Sequence, residues 1–177
     1  MTFLEIVQSR RSVRRYRPDP VPRELLEKCL EAARHSPSAC NTQCFRFIIT
    51  EKAIKDRLVS ECLGELPVPN RWAAQAPAIA VLAVRKNIVT HAIGGRLKDT
   101  RYDLIDAGIA GEHFVLQAAE LGLGTCWLGW FRKGRVRKLL DIPANWDIAA
   151  MITLGYADEK PREIAKNPVD AFREYRE

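Results

Sequence analysis

Tyr102-Asp103-Leu104-Ile105-Asp106-Ala107-Gly108-Ile109-Ala110-Gly111-Glu112-His113-Phe114-Val115-Leu116-Gln117-Ala118-Ala119-Glu120-Leu121 is the longest helical pattern in the chain. Ile105, Ile109, Phe114, Val115, Ala118 and Leu121 recur at the helical period. Ala107, Gly108, Ala110 and Gly111 are small and let another backbone approach closely, so the pattern predicts a central helix buried on more than one side and a candidate subunit interface. Gly122-Leu123-Gly124 then stops the helix and feeds Thr125-Cys126-Trp127-Leu128-Gly129-Trp130-Phe131, which reads as a strand ending in a Gly bend.

Upstream, Thr2 and Glu5 fit a capping box for a first helix to Ser9, with Phe3, Ile6 and Val7 on one face. Arg10 and Arg11 fall at its end, and Ser12 reads as the opening of a turn. Leu25, Leu26, Cys29, Leu30 and Ala33 mark an amphipathic helix that begins near Pro22 and stops before Pro37. Ser36 to Cys44 is small and polar, a loop rich in donors and acceptors, and it leads into the strand pattern Phe45–Thr50. Glu51 to Leu63 predicts a helix with Ile54, Leu58, Val59 and Cys62 inward, and Ala78 to Val84 a fully buried strand. Residues 85 to 101, containing Gly94-Gly95, carry no clear pattern and read as a loop or short lid over a site. Arg132 to Leu140 reads as a short basic helix, Asp147 to Tyr156 as a last strand, and the tail beyond Ala157 as a segment lying along a surface.

A chain of 177 residues with 47% hydrophobic content can bury one sizeable core, so a single domain over 1–177 is expected. The net charge of +6, from 28 basic and 22 acidic residues, raises nucleic-acid binding as a possibility. Against it, the basic segments at Arg10–Arg17 and Arg132–Lys138 lack the interleaved aromatics used for base stacking, and no zinc-finger or basic-zipper spacing occurs. The five cysteines are odd in number and scattered, which argues against a disulfide framework and for a reducing, cytoplasmic setting. Cys40, Cys44 and His35 have poor spacing for zinc, so no metal is expected. No signal-peptide pattern opens the chain and no apolar run reaches a membrane-spanning length.

Chemistry is concentrated at Arg10-Arg11-Ser12-Val13-Arg14-Arg15-Tyr16-Arg17. Guanidinium groups present forked donors that match phosphate oxygens, and Ser12 adds a hydroxyl. Gly122-Leu123-Gly124 is no dinucleotide fingerprint, because it follows a helix and precedes a strand, and the P-loop pattern is missing. No Gly-x-Ser-x-Gly elbow supports a hydrolase. What remains is an arginine clamp, an amide-rich loop at Pro37–Gln43 and a Gly-bent strand end at Cys126–Gly129. A flat heteroaromatic ring with a phosphate tail would use all three.

These residues carry a resemblance. Arg10-Arg11-Ser12-Val13-Arg14, Ser36-Pro37-Ser38-Ala39-Cys40-Asn41-Thr42-Gln43, Asp106-Ala107-Gly108-Ile109-Ala110 through Leu121-Gly122-Leu123-Gly124-Thr125-Cys126-Trp127-Leu128-Gly129, and Leu154-Gly155-Tyr156-Ala157 with Lys160-Pro161-Arg162 resemble, in order, the shorter members of the FMN-dependent nitroreductase family. The resemblance implies an α+β fold with a central, mostly antiparallel sheet flanked by helices, and a homodimer binding two FMN at its interface. It implies that Arg10, Arg11, Ser12 and Arg14 contact the phosphate, ribityl chain and N1/O2 edge, with Arg162 also near the phosphate. Pro37, Ser38, Ala39, Asn41 and Gln43 would come from the other subunit. Cys126, Trp127, Leu128 and Gly129 would line one flavin face, with an amide of Leu128 or Gly129 toward N5. It further implies ping-pong transfer from NAD(P)H to a nitroaromatic, quinone or similar electron-poor acceptor, with the flavin rather than a side chain carrying the chemistry. Gln43-Cys44-Phe45 departs from the usual Gln-Pro-Trp, and residues 85 to 101 are too short for the lid helices of longer members. A specialised enzyme of the same fold (a dehalogenase, desaturase or flavin-fragmenting enzyme) and a non-catalytic flavin-binding protein therefore stay open as alternatives.

Overall fold

The computed structural model describes residues 1–64, 70–85, 100–160 and 164–176. Helix α1 (Phe3–Ser9) begins with the capping box: the Thr2 hydroxyl accepts from the Glu5 amide, and the Glu5 carboxylate accepts from the Thr2 amide. Helix α2 (Arg23–Arg34) starts after Pro22 and buries Leu26, Cys29 and Ala33. A one-turn 3-10 segment (Ala39–Asn41) interrupts the following loop. Strand β1 (Phe45–Glu51) runs into α3 (Lys52–Cys62), and a second 3-10 turn (Arg71–Gln75) precedes β2 (Ala78–Arg85). The long helix α4 (Tyr102–Glu120) feeds β3 (Gly124–Leu128) through a tight link in which Gly122 adopts φ +76°. Helix α5 (Lys133–Leu139) and strand β4 (Trp146–Gly155) complete the body.

The strands form one sheet in the order β1-β2-β4-β3, every neighbouring pair antiparallel. Helices cover both faces. Leu26, Cys29 and Ala33 of α2 and Ala110, Phe114, Val115 and Ala118 of α4 pack with Ala80, Ile152 and Leu154. Leu58, Val59 and Cys62 of α3 and Val136 of α5 pack with Ile79, Val81, Leu128, Ile148 and Met151. Covering on both sides explains why β2 is a continuous apolar run rather than an alternating one. Ile148 and Met151, three apart, would face opposite ways on a regular strand. A register shift, which pairs Leu82 with Ala150 but Ala83 with Ile148, inserts Ala149 and returns both to the α3 side.

Several expectations need correction. Ile54 is 41% exposed, and the neighbouring Lys55 is the buried residue. Its aliphatic stem packs inward while its ammonium donates to the Ala74 carbonyl at 2.7 Å and pairs with Asp56. Ile105 lies on the outward side of α4, 49% exposed. The strand expected over 125–131 ends at Leu128, leaving Trp130 exposed. Ser12 opens no turn; it forms a parallel bridge with Thr125, so the arginine segment is extended along the sheet edge. The lid reading, with Gly94-Gly95, falls almost wholly on residues 86–99, outside the described residues.

Candidate functional site

The arginine segment is built onto the edge strand and the end of β4. Val13 donates its N–H to the Thr125 carbonyl at 2.9 Å, and its side chain packs so closely on Gly124 that a Cβ there would lie 2.7 Å from Val13 Cγ2. Tyr16 bridges Ala157, and Arg17 donates to the Tyr156 carbonyl at 2.9 Å. Beneath the segment, the buried Tyr16 hydroxyl lies 2.7 Å from both the Val13 carbonyl and Thr153 Oγ1, and Thr153 Oγ1 donates to the Cys126 carbonyl at 3.3 Å. Burial pushes the Tyr16 hydroxyl well above its ordinary pKa, so it stays a neutral hydrogen-bonding group.

Three of the candidate arginine-segment groups face different ways. Arg10 Nε stands 3.9 Å from Glu112 of α4, too far for a hydrogen bond. Arg11 turns back and donates to the carbonyls of Gln8 and Arg10, closing the end of α1. Arg14 is exposed, with its guanidinium 5.9 Å from the centre of the Trp72 ring. The Cys126 thiol donates to the Trp127 carbonyl at 3.6 Å; burial pushes its pKa up, while the nearby Arg14, Ser12 and Arg10 pull it down. Arg10, Ser12, Arg14 and Cys126 therefore form one neighbourhood. Arg162 lies outside the described residues.

On β3 the alternation of side chains separates the remaining candidates. Trp127 turns toward α4, where Gly111 makes room for its ring: a Cβ on Gly111 would meet Trp127 Cη2 at 2.1 Å. Leu128 points the other way, into the core with Val136 and Met151. Any contact at Leu128 would therefore use its backbone. Gly129 is exposed, and a Cβ added there meets nothing within 4 Å, so its backbone is open to approach.

The polar loop is anchored elsewhere. Asp106, buried on α4, accepts the Ala39 N–H at 3.0 Å and the Cys44 thiol at 3.7 Å. Gln43 donates its amide N–H to Ser38 Oγ and its side chain to Asn41 Oδ1. Cys40, Asn41 and Gln43 all adopt positive φ, which is strained for residues with a side chain. Pro37, Asn41 and Gln43 are exposed, and Ser38 and Ala39 half-buried. Among the described residues no hydrogen bond or ion pair joins this loop to Arg10–Arg14. Sequence reasoning missed Trp72 beside Arg14, Asp106 as the loop's anchor, and Glu159, which accepts from the Arg14 and Arg15 amides. Of these, Asp106 alone carried a usable signal: a carboxylate on the small-residue face of an otherwise apolar helix.

An antiparallel sheet packed on both faces by helices, with a basic extended segment bridged to its edge strand, defines a two-sided α+β protein. The sequence profile of the nitroreductase family matches residues 7–156, and the chain belongs to that family. It is 31% identical over 181 residues to an Archaeoglobus fulgidus protein that carries the provisional name NADH dehydrogenase/NAD(P)H nitroreductase, covering 98% of this chain and 97% of that one. It is 29% identical over 187 residues to the NADH dehydrogenase of Thermus thermophilus, covering 91% and 89%. An FMN-dependent nitroreductase of Clostridium difficile superposes with a TM-score of 0.78 at 26% identity, covering 98% of this chain and 99% of that chain. The family and the α+β fold implied by the motifs are thereby borne out. Among the described residues no helix is long and apolar enough to cross a membrane.

Proposed function

We propose that this chain is an FMN-dependent oxidoreductase that draws electrons from NAD(P)H and delivers them to a nitroaromatic, quinone or similar flat, electron-poor acceptor. The observation that carries the reading is the bridge between Ser12 and Thr125, which sets a segment bearing Arg10 and Arg14 against the strand that ends at Leu128 and Gly129. In this reading the cations would take the phosphate and the open backbone beyond β3 would take the flat ring. The donor set fits FMN: Arg10 has guanidinium donors beyond its 3.9 Å contact with Glu112, Arg14 is exposed, and Gly129 is unobstructed.

Bound FMN would supply the redox chemistry, taking hydride from the nicotinamide and passing electrons to the acceptor. Arg10 and Ser12 would bind the phosphate and ribityl chain, with Arg162 and Arg11 adding positive charge. Arg14 would stabilise negative charge at the N1/O2 edge, as an oxyanion site does. The backbone at Leu128 and Gly129 would meet the ring edge, with Cys126 and Trp127 contributing to the wall. Pro37, Ser38, Ala39, Asn41 and Gln43 would be supplied by a second copy in a homodimer. Two observations support that arrangement: the loop is anchored on α4 rather than on its own arginine segment, and Phe3, Leu4, Leu104, Ile105, Phe172 and Tyr175 are exposed apolar groups that a second copy would cover.

The test is steady-state kinetics of the FMN-loaded protein with NADH or NADPH and a nitroaromatic or quinone, both concentrations varied. Parallel double-reciprocal lines are expected. A flavin-loaded protein that oxidises neither nucleotide with any acceptor would contradict enzymatic function.

A further inference from the structure

The arginine segment is paired along part of its length only. The N–H groups of Val13 and Arg17 are taken by the carbonyls of Thr125 and Tyr156. The N–H groups of Arg14 and Arg15 are taken by neither strand. Both go to one carboxylate: Glu159 Oε1 accepts from Arg14 at 2.7 Å and from Arg15 at 3.3 Å, across 145 and 144 residues of sequence. Consecutive amides converging on one anionic oxygen form a strong, directional site. The backbone brings Glu159 there, because Tyr16 bridges Ala157 and Asp158 donates its N–H to the Arg15 carbonyl at 2.9 Å.

Arg14 is thereby fixed at both ends, its amide by Glu159 and its guanidinium over Trp72. The carboxylate also places a negative charge close to the clamp, near enough to act electrostatically on both the Tyr16 hydroxyl and the Cys126 thiol. The other carboxylates at the segment meet guanidinium groups rather than the backbone: Asp158 lies 3.9 Å from Arg15, Glu112 3.9 Å from Arg10 and Asp19 3.3 Å from Arg17.

We infer that Glu159 is a positioning residue for the flavin site, which aligns Arg14 through its backbone amide and, by its fixed negative charge, lowers the reduction potential of the bound flavin. The inference rests on the FMN reading above. A positive Arg14 at the pyrimidine edge favours the reduced, more negative cofactor, and a carboxylate bonded to the backbone of that arginine opposes it. Alignment and charge are separable. Glutamine keeps an oxygen that can accept from both amides but removes the charge; alanine removes both.

The experiment compares full-length wild type, Glu159→Ala and Glu159→Gln for FMN affinity, by quenching of flavin fluorescence, and for midpoint potential, by spectroelectrochemical titration. Expected are an FMN dissociation constant raised about tenfold in Glu159→Ala and restored to within about twofold in Glu159→Gln, with a more positive midpoint potential in Glu159→Gln than in wild type. Wild-type affinity in Glu159→Ala, or a wild-type potential in Glu159→Gln, would overturn the inference. Failure of the wild type itself to bind FMN would instead overturn the flavin reading beneath it.

Discussion

Asp106 Oδ1 accepts the Ala39 N–H at 3.0 Å, so a carboxylate buried in the central helix fixes the loop whose residues Cys40, Asn41 and Gln43 are all strained. The loop's own bonds, from Gln43 to Ser38 and Asn41, shape the positive-φ run, and Asp106 ties it to the helix. Asp106→Ala is expected to cost about 1–3 kcal/mol of stability. Each kcal/mol should appear as a loss of about 2–4 °C in Tm. FMN affinity should fall with it. Asp106→Asn, which retains an acceptor for Ala39, should lie between Asp106→Ala and wild type. Calorimetry and flavin titration of the three proteins check the order.

Gly111 of α4 and Trp127 of β3 form a second close pair. An alanine methyl at 111 would stand 2.1 Å from Cη2 and 2.8 Å from Cζ2 of the indole, so the ring must move. Overpacking of this kind costs about 1–3 kcal/mol. Gly111→Ala is expected to be destabilising alone and much less so combined with Trp127→Leu, giving a coupling energy in a double-mutant cycle of about 1 kcal/mol or more.

Tyr16 ties the arginine segment to β4 through its hydroxyl, 2.7 Å from Thr153 Oγ1 and from the Val13 carbonyl. Tyr16→Phe keeps the buried ring and deletes those bonds. A loss of about 1–2 kcal/mol is expected, with FMN affinity reduced because the segment bearing Ser12 and Arg14 is less firmly fixed. Unchanged stability to urea would contradict the role.

Arg101 donates two hydrogen bonds to the buried Asp103, at 2.9 and 2.7 Å, and holds its carboxyl below the usual carboxylate range. A carboxyl whose folded pKa lies below its unfolded value contributes stability that is complete above the unfolded value, about pH 4, and is lost as pH falls through the folded value. The stability gap between wild type and Asp103→Asn should therefore be widest at neutral pH, about 1–3 kcal/mol, and narrow toward pH 2. Denaturant titrations across that range measure it; a constant gap would show that the ion pair is not its source.

The local signals in the sequence were strong where local physics decides the structure. The Thr2–Glu5 capping box, the apolar spacing of α2 and α4, and the Gly122 link into β3 follow from periodicity and backbone preference, and each is present. Long-range pairing was not legible. Arg-Ser-Val-Arg reads locally as a turn, yet the Thr125 bridge draws it into an extended edge. Lys55 rather than Ile54 is buried because a carbonyl from a later segment, Ala74, is there to receive its ammonium. For the site, the arginine segment and β3 were recognisable, and the structure joins them at Ser12 and Thr125. Glu159 and Trp72 were not recognisable, since nothing within their own neighbourhoods announces a contact with Arg14.

The most direct test of the central claim is the absorbance spectrum of freshly purified protein, supplemented with FMN where needed and then treated with NADH and separately NADPH without oxygen. A yellow protein with a flavin spectrum that bleaches on addition of at least one nucleotide is predicted, and the nucleotide that acts fastest identifies the preferred donor. A protein that stays colourless after incubation with FMN and removal of the excess would contradict the account.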